Sequence, residues 1–260
     1  MTSFVKGWRI QTRVISALML REVTTRFGRE NIGFLWIMGE PLLFAVLVGV
    51  MWSFMKGTSE HGISVMTFTV SGYIPLVLFR HGVSRAVGVF RANGSLLYHR
   101  QIKILDFIFV RFLIEFIGHL LAYFFIALVL LALGIFPVPY DLGFMLLGWL
   151  YYSIFTLGLC LVLAPLSEMS EVVEKFMGVT TYLMVPFSGA FYMTSWLTPE
   201  ARAAVLYSPP VHGMEMMRYG LFGHAVEPHF DYFYPLAFSI PCMAVGLLLC
   251  RRIRKNLVVE

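Results

Sequence analysis

Long apolar runs recur along this chain, separated by short clusters of basic residues, and this alternation restricts it more than any other feature. The first run, Ile32 to Met55, would reach roughly 36 Å as a helix, enough to cross a bilayer with some tilt. Composition supports the reading: 58% of the 260 residues are hydrophobic and 13% charged, whereas soluble domains carry about 45–50% apolar and about 25% charged residues. So little polar surface cannot cover the fold in water. Most apolar side chains must face lipid or other membrane helices, which excludes a soluble enzyme. The expected fold class is all-α: one polytopic domain over residues 1–260.

Further apolar runs place spans at 63–79, 104–134, 142–163, 176–191 and 230–250, making six with 32–55. Gly72 and Pro75 punctuate the second. Asp106, Arg111, Glu115 and His119 occupy the first half of the third, so the bilayer proper is expected to begin around Phe112. Pro137 and Pro139 mark a turn, Pro165 is expected to stop the fourth span, and Glu168, Glu171, Glu174 and Lys175 form a polar connection. The fifth span contains Pro186 and Gly189. Residues 192–229 mix Trp196, Tyr207, Pro209, Pro210, Met214 and Phe222 with scattered charges, the composition of short interfacial helices or a re-entrant hairpin.

Ahead of the first span, residues 4–27 set Phe4, Trp8, Ile15, Leu18, Met19, Val23 and Phe27 at helical spacings, with Lys6, Arg9, Arg13 and Thr24 at other angles. That pattern suits an amphipathic helix in the membrane interface, or one packed on a partner. Of the 20 lysines and arginines, all but Lys56, Arg202 and Arg218 fall on one side of the expected spans. Both termini are therefore expected in the cytoplasm. The first 13 residues lack the compact apolar core and cleavage site of a removable signal peptide.

The sequence also bounds the chemistry. Gly28 and Gly33 stand at P-loop spacing, but Phe34 and Leu35 occupy the places of the Lys and Ser/Thr that hold phosphate and magnesium. ATP-driven work would need a separate ATPase subunit. Cys160, Cys242 and Cys250 form neither a disulfide framework nor a zinc pattern, and none of the seven histidines lies in a metal-binding motif. No cofactor, metal or nucleic acid is expected on this chain. Glu115 and His119 share a helix face, as a polar pair or a proton relay. His212, Glu215 and Arg218 form a polar cluster, of function or of structure. Among 24 Phe, 12 Tyr and 5 Trp, most are expected to serve as interface belt or packing.

The cytoplasmic segment 85–103 carries the strongest local pattern. Asn93, Gly94 and Ser95 turn the chain, and Leu96, Leu97 and Tyr98 then present an apolar knob beside His99 and Arg100. Such a segment suits a short helix docking into a partner's groove, or a basic loop on lipid headgroups.

Ala17 to Gly28, followed by Gly33-Phe34-Leu35-Trp36 and Glu40-Pro41, resembles the N-terminal signature of capsule-polysaccharide ABC exporter permeases of the KpsM type, within the ABC type-2 permease superfamily. Asn93 to Asp106 is similar to that family's first cytoplasmic loop, and Tyr207 to Arg218 to its stretch before the final span. The resemblance implies a homodimer bound to two ATPase subunits that carry ATP and Mg. Together they would export a lipid-linked, acidic polysaccharide across the bacterial inner membrane, alongside a periplasmic co-polymerase, an outer-membrane channel and membrane lipids. It also implies an interfacial gate helix at 4–27, with Trp8, Arg9, Arg13, Arg21, Glu22 and Arg26. The coupling helix falls at 93–101, with Asn93, Ser95, Leu96, Leu97, Tyr98 and Arg100. Periplasmic helices at 192–229 approach the channel exit, where Tyr192, Trp196, His212, Glu215 and Arg218 are the candidates. No residue-by-residue sugar site is matched.

Other readings are an O-antigen or teichoic-acid exporter permease, a membrane-embedded acyl- or glycosyltransferase, and a proton-coupled carrier. The transferase needs a converging acid, base and acceptor site, and the carrier an inverted repeat; the sequence displays neither.

Overall fold

The computed structural model describes residues 3–27, 32–57, 59–96 and 101–257. Helix α1 (Ser3–Phe27) precedes α2 (Ile32–Lys56), and a hairpin of two short strands, β1 (Ser59–Glu60) and β2 (Ile63–Ser64), leads into α3 (Val65–Ala86). Short α4 (Val89–Ala92) and a 3-10 turn at Gly94–Leu96 precede α5 (Ile104–Ala132), α6 (Leu142–Met169) and α7 (Glu171–Leu183). Helices α8 (Pro199–Val205) and α9 (Pro209–Phe222) come before α10 (Tyr234–Leu257). The fold is all-α apart from the hairpin.

Helix α3 forms the centre. Val70, Ile74 and Leu78 are fully enclosed, and α2, α5 and α6 pack around them. The outer faces stay apolar: Leu43, Leu47 and Phe54 on α2, Phe125 and Leu128 on α5, and Ile240 and Leu248 on α10 are exposed. Faces of this kind are stable against hydrocarbon or another subunit.

Several spans differ from their sequence expectations. Residues 63–64 form β2, so the second helix runs 65–86 instead of 63–79, and Ser64 Oγ accepts the Thr67 N–H at 3.4 Å as its cap. Pro75 lies within this helix. The fourth helix continues past Pro165 to Met169. A proline at this position leaves the Leu161 carbonyl without its helical donor; the Cys250 thiol of α10 donates to that carbonyl, Sγ to O 3.9 Å. The expected 176–191 span is instead α7 followed by a 3-10 turn at Val185–Phe187, ended by Pro186 and by Gly189 at φ +75°. Its 13 residues rise about 20 Å, short of the roughly 30 Å hydrocarbon core. The last helix starts at Tyr234, not 230, where Asp231 Oδ1 accepts the Phe233 and Tyr234 N–H groups at 2.6 and 2.9 Å.

Among the described residues, α5, α6 and α10 are long and apolar enough to cross a membrane, and α2 holds a shorter apolar stretch, Leu42–Met55.

Glycines allow α9 to lie directly on α6. A Cβ at Gly148 would stand 2.4 Å from the Met217 nitrogen, and one at Gly220 would stand 2.3 Å from the Met145 nitrogen. Gly213 faces Tyr152 and Gly148, whereas Gly220 faces Met145 and Asp141, so the two helices run antiparallel. The Asp141 N–H donates to the Gly220 carbonyl at 2.8 Å and closes the top of the pair.

Candidate functional site

Helix α1 is fastened along one flank. Leu18 is buried, and Val14, Ile15, Met19 and Val23 pack against the core, while Trp8 and Leu20 are 67% and 71% exposed. Periodicity left lipid and protein as alternative neighbours; the tertiary fold gives the buried flank to protein and leaves Trp8, Arg9 and Arg13 outward.

Polar contacts secure the same flank. Gln11 Nε2 donates to Asp106 Oδ1 at 2.5 Å, and Arg21 Nη1 donates to Asn93 Oδ1 at 3.0 Å. Arg111 Nε lies 3.1 Å from Glu22 Oε1, and Arg26 Nη2 lies 2.5 Å from Glu115 Oε1. Partner numbers rise together, 11 with 106, 22 with 111 and 26 with 115, so α1 and α5 run in the same sense. Asp106 also accepts the Lys103 N–H at 2.8 Å and caps α5. One carboxylate thus starts a helix and anchors its neighbour.

At the inner end of this seam, two histidines flank Glu115. His81 Nδ1 and His119 Nδ1 each stand 3.6 Å from Glu115 Oε2. His119 Nδ1 is also 2.8 Å from the Glu115 carbonyl, which makes it the proton-bearing nitrogen. His81 Nε2 is 3.9 Å from Glu40 Oε1. One ligand atom from each of His81, Glu115 and His119 falls within 4.8 Å of the others. No local spacing announces this set, because His81 arrives from α3. The Arg26 guanidinium already supplies the positive charge that a cation would bring to Glu115.

The expected coupling segment, 93–101, is described only in part. α4 ends at Ala92, the 3-10 turn covers Gly94–Leu96, and residues 101–103 are non-helical. Leu97, Tyr98 and Arg100 lie outside the described residues. Ser95 is exposed, Leu96 is partly buried against the core, and Asn93 is buried. The run into this turn is tied to two other elements. Arg91 Nη1 contacts Glu174 Oε2 at 2.8 Å, and its Nε stands 3.6 Å from Glu168 Oε1. The Gly88 N–H donates to Ser167 Oγ at 3.3 Å. Asn93 holds α1 through Arg21, so a displacement of residues 88–96 acts on α1 and on the α6–α7 junction together.

On the opposite side, Arg218 is fully buried and donates to the carbonyls of Gly189, Ala190 and Tyr192. Its guanidinium lies 4.1 Å from the centre of the Phe68 ring, a cation–π contact. Glu215 accepts the Thr194 N–H at 3.1 Å and the Thr194 hydroxyl at 2.7 Å. Both side chains shape the turn between α7 and α8. Trp196 stacks on His61 of the hairpin at 4.8 Å. His212 Nε2 donates to the Leu206 carbonyl at 2.8 Å, and its Nδ1 accepts the Asp231 N–H at 2.9 Å. The sequence cluster of His212, Glu215 and Arg218 is therefore divided: two residues hold 189–194, and the third joins α9 to the start of α10.

Sequence reasoning did not select Gln11, His81, Arg91, Glu168 or Glu174 as site residues. Each has its partner on another helix, tens of residues away in the sequence, and no periodicity links them.

A family model described as ABC-2 type transporter matches residues 13–222. The capsule polysaccharide export inner-membrane protein CtrC of Neisseria meningitidis serogroup B is 38% identical over 255 residues, 98% of this chain and 96% of the relative. The capsule polysaccharide export inner-membrane protein BexB of Haemophilus influenzae is 34% identical over 256 residues, 98% of this chain and 97% of the relative. The polysialic acid transport protein KpsM of Escherichia coli is 24% identical over 245 residues, 94% and 95% of the two chains.

Proposed function

This chain belongs to the ABC-2 type transporter family, and from that premise we propose that it is the permease subunit of an ATP-driven exporter of lipid-linked capsular polysaccharide across the bacterial inner membrane. The observation that carries the reading is similarity along nearly the entire chain to capsule polysaccharide export inner-membrane proteins. On this reading two copies form the conduit, both termini lie in the cytoplasm, six segments cross the membrane with α7 and the turns that follow it making up the fifth crossing, and two ATPase subunits bind ATP and Mg. An acidic polymer cannot cross hydrocarbon unaided, so the dimer supplies a polar or aromatic-lined path. A periplasmic co-polymerase and an outer-membrane channel continue the route.

In this scheme residues 93–101 receive the ATPase. The contacts from Arg91 to Glu174 and from Asn93 to Arg21 support transmission, because they connect this segment to two parts of the bundle at once. Closure of the ATPase subunits on ATP would move 88–96, and with it α1 and the α6–α7 junction, opening the path. α1 acts as the gate helix, and the 192–229 segment frames the exit.

The test is co-purification of the chain with its ATPase from cells that make the polymer, followed by hydrolysis measured with and without polysaccharide. Polymer-stimulated turnover is expected in the complex, and its loss with normal membrane insertion is expected for Leu97→Asp or Tyr98→Asp. Normal export by those variants would remove 93–101 from the coupling role, and a chain that never binds an ATPase would remove the exporter reading.

A further inference from the structure

Between α1, the end of α3 and the first turns of α5 lies a cavity of about 230 Å³. Four arginines line it, Arg21, Arg26, Arg85 and Arg111, against one lining carboxylate, Glu22. Glu22 pairs with Arg111, and Glu115 pairs with Arg26. Arg21 bonds a neutral amide, Asn93 Oδ1, and among the described residues neither Arg21 nor Arg85 has a carboxylate within ion-pair distance. Neither charge is thus paired directly, and Arg85 feels Glu115 and Glu22 only at longer range. Like charges gather at a cost, which an anion between them offsets.

We infer that this cavity is an oxyanion site that takes a phosphate group. Arginine presents donors in a planar fork that matches tetrahedral phosphate oxygens. Arg21, Thr25 and Arg85 are exposed and leave the cavity open to a ligand, and its size suits one phosphate ester, not a sugar polymer. The Arg111 guanidinium is held in place by Glu22 and by the Arg85 carbonyl, Nη1 to O 2.7 Å, so one wall is pre-organised. The phosphate comes from a soluble phosphoanion or from a lipid headgroup; the chemistry recognised is the same. The site itself stands on charge and cavity. Only its place in export, where a lipid-borne phosphate would meet the gate helix, rests on the function proposed above.

The experiment uses the full chain in non-ionic detergent. Inorganic phosphate is titrated calorimetrically, and native mass spectrometry counts retained phosphatidylglycerol against diacylglycerol, which lacks the phosphate. Binding is expected to weaken about tenfold or more when Arg21→Gln and Arg85→Gln are combined, as loss of charge-assisted hydrogen bonds implies. It is expected to be unchanged by Arg252→Gln on the far end of α10. Arg85→Gln alone serves if the double variant does not fold, because the Arg85 side chain is exposed and lines the cavity. Phosphate binding that these variants weaken assigns a soluble source; weakened retention of phosphatidylglycerol alone assigns a lipid source. Equal binding by wild type and variants for both probes overturns the site, as does equal retention of diacylglycerol and phosphatidylglycerol with no binding of phosphate. Neither result touches the exporter reading, since the assay needs no transport.

Discussion

Arg26, on the last turn of α1, lies 2.5 Å from Glu115, a carboxylate whose side chain is 2% exposed inside α5. The N-terminal helix is thereby fixed to the interior of the bundle by a shielded ion pair. Removing one member of such a pair leaves a buried charge poorly compensated, typically at about 3–5 kcal/mol. Arg26→Met is expected to destabilise the detergent-solubilised protein by about 3 kcal/mol, near the low end of that range because His81 and His119 remain beside the carboxylate. Adding Glu115→Leu is expected to recover part of the loss. A double variant less stable than Arg26→Met in a thermal unfolding series would contradict the pairing.

Arg91 and Glu174 meet at 2.8 Å with both side chains substantially exposed, 46% and 36%. Exposed pairs contribute less than about 1 kcal/mol, so Glu174→Arg is expected to change thermal stability little. Its effect belongs on coupling instead: polymer-stimulated ATP hydrolysis is expected to fall several-fold, and Arg91→Glu in the same chain to restore much of it. Equal losses of stability and stimulation would mark the contact as structural only.

Gly148 has no room for a methyl group, since its Cβ would meet backbone atoms of α9. Overpacking of this kind costs about 1–3 kcal/mol, and rigid backbone places Gly148→Ala near the upper figure. Gly178→Ala is the comparison, because open space surrounds that position on α7. Unfolding temperatures of the two variants should separate; coincident values would mean that α9 does not sit on α6.

His212 is held neutral, its pKa lowered mainly by burial, although the Leu206 carbonyl bond opposes the shift. A histidine depressed in the folded state binds fewer protons folded than unfolded, so stability is complete above the unfolded value near 6.5 and declines as pH falls below it. Protonation also removes the acceptor that holds the Asp231 N–H. The expected result is a falling unfolding temperature below about pH 6.5, with a shallower slope in His212→Asn. An identical slope in the variant would assign the acid sensitivity to other groups.

Much of the architecture is legible in the amino-acid order, and where the structure departs from it the cause lies on another helix. Pro165 was expected to stop a helix because a proline inside one loses a hydrogen bond; Cys250, 85 positions away in the sequence, donates to the carbonyl concerned. Pro186 and Gly189 were placed within a span, but they end α7 because the turn they permit is fixed by Arg218 from another helix. In both cases the deciding partner is remote.

The amino-acid order by itself determined that this protein is helical and membrane-embedded, where its helices broadly lie, and to which family it is similar. Those properties follow from hydrophobic content, 3.6-residue spacing and short motifs, all of which act over a few turns of chain. Only the tertiary structure decided that Arg26 meets Glu115, that His81 joins His119, that Arg91 ties the loop ahead of α5 to α7, and that Arg218 is spent on backbone carbonyls. Ion pairs and buried hydrogen bonds require approach within a few ångströms, and packing across the bundle creates that approach without any signature in sequence separation.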